Sequence, residues 1–281
     1  MAVEVRAARP GEEEAVASVL RAAGLGANVG RLLEYPRRSP TGEVFAAVRR
    51  GHIVGAAAVA GFGATGWIGA LGVIASARRR GTGRALTEGC TDWLQERGAR
   101  TVLLYATEAG RPVYERVGFV AEGAAHAWRD VAPPPLADPP AGIRALGHHD
   151  AAHVRALDAA ATGEDRSAVL SLLLDGSGPN GAGIVLERDG ALAGSALRSP
   201  WGLGPSVVAA DADAGLALLG ALRRRPGSPL TVSLPDANAE ATRALRAWGL
   251  RPINHATRMR LGPAPAYDPA RVFGMFNLFW G

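Results

Sequence analysis

The stretch LGVIASARRRGTGRALTEGC, residues 71–90, runs from an apolar segment through a short loop of arginine and glycine into a segment patterned as a helix. Its centre is Arg78, Gly81 and Gly83. Glycine lets a backbone turn tightly and approach a ligand with no Cβ in between. Successive N–H groups exposed in that way make a concave site for an anion. The helix behind adds its own unpaired N–H groups and the positive end of its dipole. The stretch predicts a strand, a phosphate-binding turn and a helix over about 81–97. Glycine also joins strands to helices for steric reasons alone, so a second signature has to decide the reading.

That signature begins at TVLLYAT (101–107), patterned as a strand, and continues in AGRPVYERVGFV (109–120), where Tyr114 stands four residues before Gly118 and Phe119. On these two stretches the chain resembles the GNAT superfamily of acyl-CoA N-acyltransferases. The family's pyrophosphate loop is Gln or Arg, two residues, Gly, one residue, then Gly or Ala. It falls on Arg78, Gly81 and Gly83. The family's helix with a Tyr four residues before Gly-Phe falls on Tyr114, Gly118 and Phe119. Leu71 and Val73 fit the preceding strand, while a Pro common in relatives is replaced by Ala75.

The resemblance implies a twisted mixed sheet that splays between its fourth and fifth strands, with the pantetheine of acetyl-CoA in the splay. It implies that Leu71, Gly72 and Val73 meet the pantetheine. It further implies that Arg78, Arg79, Arg80, Gly81, Thr82, Gly83 and Arg84 form the pyrophosphate loop, and that Tyr114 protonates the departing thiolate. Acetyl-CoA is thus the expected co-substrate, with no metal. A family base, where present, is often a Glu on the fourth strand, but Trp67–Ile74 holds no carboxylate. Glu34, Glu108 and His126 remain as candidates, and Glu34 also suits attraction of a cationic amine.

Composition frames these readings. The chain has 281 residues, 48% hydrophobic and 20% charged, which suits a globular protein of two ordinary domains. A pI near 10.2 invites nucleic acid. All 31 basic residues are Arg, however, in short runs without interleaved aromatics, and this reads as a composition bias and not as a nucleic-acid surface. One cysteine, Cys90, excludes an internal disulfide and a cysteine metal cage; its helical face with Leu86, Trp93 and Leu94 points to core packing. The uncharged run Ile53–Ala77 contains six glycines and reads as two strands about a turn, not as a membrane span. With no apolar leader in MAVEVRAARPGEEEAV, the expected location is cytoplasmic.

Along the chain, strands are expected at 3–8, 43–50, 53–60, 66–74, from 101, and near 120–130, with helices after Pro10, near Asn28–Tyr35, over 81–97 and around Tyr114. VAPPPLADPPAG (131–142) is a Pro-rich spacer. The domains are accordingly 1–131, catalytic; 132–142, linker; and 143–281. The last resembles a degenerate copy of the first. LGPSVVAADADAGLAL (203–218) lies over residues 71–86, matching Gly83 to Gly215 and Leu86 to Leu218, and residues 231–250 lie over 101–119. Asp211 and Asp213 replace Arg79 and Gly81, and Leu245 replaces Tyr114. Carboxylates would repel pyrophosphate, so this half is expected to be silent. The fold class is α/β (α+β), two GNAT-like domains, each a twisted mixed sheet flanked by helices.

The remaining polar groups read more plainly. His148, His149 and His153 with Asp150 and Asp158 resemble metal ligands only in spacing and suit a polar helix face; Asp165 with Arg166 suits an ion pair or helix cap. Phe273, Phe276, Phe279 and Trp280 are too apolar for solvent and should dock on a core, line an acceptor pocket or bury in a dimer. The expected activity is acetyl transfer to an amine of a small molecule, with the second domain enclosing the cleft. A protein amine, which needs an open groove, and a non-catalytic acyl-CoA-binding regulatory module are the alternatives. Expected partners are the small-molecule acceptor, no nucleic acid and no membrane, in a monomer or homodimer.

Overall fold

The computed structural model describes residues 3–26, 28–135, 138–174, 183–198, 201, 204–225 and 229–281. They fall into two compact units. The first is Met1–Glu122 with Thr257–Ala264 and Trp280; the second is Gly123–Ala256 with Pro265–Phe279 and Gly281.

The first half of the chain runs β1 (Glu4–Ala7), α1 (Glu13–Ala22), α2 (Val29–Leu32), α3 (Glu34–Arg38), β2 (Gly42–Arg49), β3 (His52–Phe62), β4 (Thr65–Val73), α4 (Thr82–Glu96), β5 (Thr101–Ala106), α5 (Arg111–Val117) and β6 (Val120–Arg129). The uncharged run 53–77 is therefore mostly β3, a turn and β4. No described helix is long and apolar enough to cross a membrane. β1 to β4 pair antiparallel in sequence order, and a bulge sets Ala56 opposite Gly72 but Ala58 opposite Gly69. The extra residue lies on β4, where Ala70 takes φ +51, and such a bulge bends the strand. β4 and β5 are parallel and pair only over Thr65–Trp67 with Thr101–Leu103. Beyond Trp67 they part, which is the expected splay.

α4 closes one face. Its Leu86, Cys90 and Leu94 are fully buried with Ala57, Val59, Ile68, Val102 and Leu104. On the other face Trp67 and Tyr105 stack at 5.4 Å where the strands part. Arg258 lies 5.4 Å over Trp67 and pairs with Glu122 at 3.1 Å.

The second half runs β7 (Ile143–Ala145), α6 (Ala151–Thr162), α7 (Ser167–Leu174), β8 (Gly183–Arg188), β9 (Ala191–Leu197), β10 (Ser206–Ala209), α8 (Ala212–Arg223), β11 (Thr231–Pro235), α9 (Ala239–Ala247), β12 (Arg251–Leu261) and β13 (Val272–Gly274). β7 to β10 form an antiparallel meander, and β13 adds to β10. Phe273, Phe276 and Trp280 are buried and Phe279 half-buried, so the aromatic terminus docks on a core.

Two strands change unit along their length. β12 ends in the first unit, where Thr257–Leu261 pairs with Ala106–Val102 of β5 and Met259 is fully buried. β6 passes at Gly123 into the second, where Ala125–Arg129 pairs with Pro235–Thr231 of β11. Apolar alternation reports which way side chains face and not which strand lies alongside, so this exchange leaves no mark in the pattern.

Met259→Ala tests it. Truncating this side chain should cost about 2–5 kcal/mol of stability in a urea titration. A loss under about 1 kcal/mol would mean that β12 does not complete the first core.

Candidate active site

In the loop from Val73 to α4 the early N–H groups are bonded, Ile74 to Val54 O, Ala77 to Ile74 O and Arg78 to Ala75 O, and side chains hold several carbonyls. Arg78 Nε donates to Val73 O at 2.9 Å, Thr82 Oγ1 to Ala77 O at 3.2 Å, and Arg49 Nη2 to Arg80 O at 3.3 Å. The first helical bond of α4 runs from Ala85 N–H to Gly81 O at 2.9 Å. The N–H groups of residues 79–84 bond no described residue. Arg79 (φ +58) and Gly81 (φ +78) supply the left-handed turns. A Cβ on Gly81 would meet nothing within 4 Å, so the space it would enter is open. An anion is what such an array binds.

Gly83 is where the pieces meet. A Cβ there would lie 3.7 Å from Val113 Cγ1 on α5 and 4.0 Å from Val73 Cγ2 on β4. Loop, strand end and Tyr114 helix therefore converge. On β4, Ile74 N–H bonds Val54 O at 3.0 Å; alternation along the strand then turns the Val73 N–H to the opposite edge, toward the splay. Leu71 is half-buried and Gly72 buried; a Cβ on Gly72 would come within 2.7 Å of Ala23 Cβ, so glycine admits the end of α1.

Tyr114 is buried. Its ring lies against Gly110, whose Cβ would be 3.2 Å from Cε2, and edge-on to Phe119 at 6.1 Å. Gly118, at φ +106, ends α5 in the left-handed conformation that glycine favours. Burial, and secondarily the nearby Cys90, push the Tyr114 phenol well above its ordinary range. The hydroxyl stays protonated and bonds no described residue.

Not every expected residue joins the cluster. Arg78 braces the loop through Val73 O, and through Ala23 O at 3.4 Å. Arg79, Arg80 and Arg84 are exposed around the cradle, with Arg84 paired to Glu88 at 2.8 Å. Glu34, on α3, and Glu108, in the turn after β5, are exposed and bond no described residue. His126 belongs to the second unit, its Nδ1 2.6 Å from Asp236 Oδ1 and its ring 5.5 Å from that of His255. The brace Arg49 lies outside both motifs. The one signal for it in the sequence is the turn Arg-Arg-Gly at 49–51, which recurs as Arg-Asp-Gly at 188–190.

The second unit arranges the matching places differently. Ile74–Gly81 separates β4 from α4, whereas Ala210 and Asp211 alone separate β10 from α8. Asp211 caps α8, its Oδ1 accepting Ala214 N–H at 2.8 Å. Leu203, the first residue of the matched repeat, lies outside the described residues. Leu245, at the place of Tyr114, is fully buried. Between β10 and β11 lies β13: Val207 and Val208 pair with Gly274 and Val272, and Met275 N–H bonds Ser233 O at 2.7 Å. The Phe273 ring occupies the space a Cβ on Gly215 would need. Asn238, capping α9, donates to Val272 O at 3.0 Å.

Elsewhere in this unit Asp150 is bound by Arg144 at 2.7 and 2.9 Å, which holds its carboxyl at about 2. Asp158 and Arg166 form a buried pair at 3.5 Å, and Asp165 accepts Ser167 N–H at the start of α7. Among the described residues no group of three or more His, Cys, Asp or Glu is placed to hold a metal.

Residues 20–119 match the acetyltransferase (GNAT) family, and residues 154–274 match an acetyltransferase (GNAT) domain. The chain belongs to the GNAT superfamily as a tandem of two such domains, and it is an acyltransferase. Solved structures share the fold. A Pyrococcus horikoshii protein provisionally named an acetyltransferase superposes with TM-score 0.84 at 21% identity, over 99% of this chain and 96% of its own. A GCN5-related N-acetyltransferase from Sphaerobacter thermophilus gives 0.68 at 19%, over 95% and 97%. A tandem GNAT protein from the clavulanic acid biosynthesis pathway gives 0.59 at 16%, over 94% and 100%. No curated protein matches the chain.

Gly81→Asp would add a carboxylate within the run of free N–H groups at 79–84. It should abolish acetyl-CoA binding in calorimetry while far-UV dichroism stays unchanged. Affinity equal to that of the parent would reject the cradle as the cofactor site.

Proposed function

We propose that the first unit transfers the acetyl group of acetyl-CoA directly to an amine of a small molecule, and that the second unit is catalytically silent. The observation that carries this reading is the convergence at Gly83 of an anion cradle, the end of β4 and the helix that bears a buried protonated phenol. Residues 79–84 hold the pyrophosphate through backbone N–H groups, with Arg79, Arg80 and Arg84 adding charge. The pantetheine lies along Leu71–Val73 in the splay.

The neutral amine attacks the thioester carbonyl. A C–N bond forms as the C–S bond breaks, and charge develops first on the carbonyl oxygen. The Val73 N–H stabilises that charge, and a donor fixed in advance contributes several kcal/mol of barrier reduction. Tyr114 gives its proton to the departing thiolate and the amine loses one, so the protons balance. Glu34 and Glu108 are the carboxylates retained as candidates to receive the amine proton, through water.

A small-molecule amine is the acceptor of this reading, and a protein amine, which needs an open groove, is its alternative. The reading is of a cytoplasmic monomer or homodimer without metal.

Tyr114→Phe keeps the ring and removes the acid. Turnover with a responsive amine should fall about 10²- to 10⁴-fold with acetyl-CoA affinity nearly unchanged. The raised phenol also predicts a sign: wild-type turnover should not decline as pH passes about 10, where an ordinary tyrosine ionises. Undiminished turnover of Tyr114→Phe, with chemistry rate-limiting, would assign the proton to another donor.

A further inference from the structure

Both units carry the same hairpin ahead of the loop. β2 ends at Arg49, Arg50 and Gly51 turn at φ +52 and +78, and β3 begins at His52. β8 ends at Arg188, Asp189 and Gly190 turn at φ +52 and +75, and β9 begins at Ala191. The register shifts at the same place in each, between Ala47 and Val48 and between Leu186 and Glu187. Further along, a Cβ on Gly55 would lie 3.0 Å from Leu86 Cδ1, and one on Gly194 would lie 2.8 Å from Leu218 Cδ1. Arg49 and Arg188 are thus one position of a repeated frame.

In the second unit that position holds an anion. Arg188 Nη1 donates to Asp211 Oδ2 at 2.8 Å while Asp211 Oδ1 accepts Ala214 N–H at 2.8 Å. The carboxylate bridges the arginine and the helix N-terminus, and this lowers the Asp211 carboxyl, first through the Ala214 N–H. In the first unit Arg49 Nη2 rests on Arg80 O, and its buried Nε bonds no described residue. No carboxylate among the described residues pairs with it.

We propose that Arg49 is a pyrophosphate ligand, and that a phosphate of acetyl-CoA takes in the first unit the place the Asp211 carboxylate takes in the second. The proposal rests on the reading of the first unit as the cofactor site and adds a residue from outside both motifs. The Arg80 carbonyl keeps the guanidinium at the cradle, leaving donors for a charge-assisted bond of the kind arginine makes with phosphate.

Calorimetry on Arg49→Met and Arg49→Lys, in the full chain, distinguishes the outcomes with three probes: acetyl-CoA, its 3′-dephospho form, and pantetheine. For Arg49→Met the Kd of both nucleotides should rise about 10- to 100-fold, as expected for losing a hydrogen bond to a charged group. Pantetheine affinity and the melting temperature of the free protein should not change, and Arg49→Lys should recover part of the loss. Unchanged acetyl-CoA affinity would overturn the proposal. So would an equal loss for pantetheine, which indicates a structural role, or a loss confined to the ligand bearing the 3′-phosphate. A wild type that binds no acetyl-CoA would overturn the underlying reading as well.

Discussion

The site depends on how one loop disposes its peptide groups. A peptide's C=O and N–H point in opposite directions, so fixing the oxygen aims the hydrogen. Arg49 holds the Arg80 oxygen and the helix takes that of Gly81, which aims the N–H groups of Gly81 and Thr82, while Arg78 and Thr82 brace the base of the loop through Val73 O and Ala77 O. The N–H groups of residues 79–84 bond no described residue, and the positive end of α4 lies behind them. Because donors are held before a ligand arrives, little ordering remains to oppose binding. The arginines of the loop therefore matter in two ways, as bracing for the backbone and as charge around it.

The two units answer differently a question every sheet faces, which is what pairs with an exposed strand edge. In the first, β4 and β5 part beyond Trp67, so β5 does not pair with the edge of β4 there. In the second, β13 pairs with β10 and is bridged to β11, and Phe273 seats on Gly215. The chain's own strand satisfies the edge. Asp211 likewise satisfies the helix N-terminus that the other unit leaves free. A repeat can keep its architecture while internal groups take over what a cofactor would supply.

Much of this was legible because it is local. The strand, glycine loop and helix around Gly81 follow from residue types a few positions apart, as do Tyr114 before Gly118 and the buried face of Cys90. The family and the tandem rested on the same short patterns. What escaped notice depends on contacts between distant residues. Nothing near Met259 announces that it completes the core around β5, and nothing near Val272 announces that it lies beside Val208. The motif assigns Arg78 to the phosphate, whereas its guanidinium donates to the carbonyls of Val73 and Ala23. Arg49 lies outside the motifs, although its turn recurs at Arg188. The carboxylates Glu34 and Glu108 carry no local signal that separates a base from a solvated side chain, and their surroundings supply none.

We read one unit of this chain as the one that holds acetyl-CoA and the other as having filled that place from within. Titration of acetyl-CoA into the full-length protein by calorimetry, with concentration fixed by absorbance, addresses it directly. One site per chain is expected, with no second binding phase at high ligand. Two sites per chain would overturn this reading, since the second unit would then be admitting a ligand where Asp211 and β13 are placed.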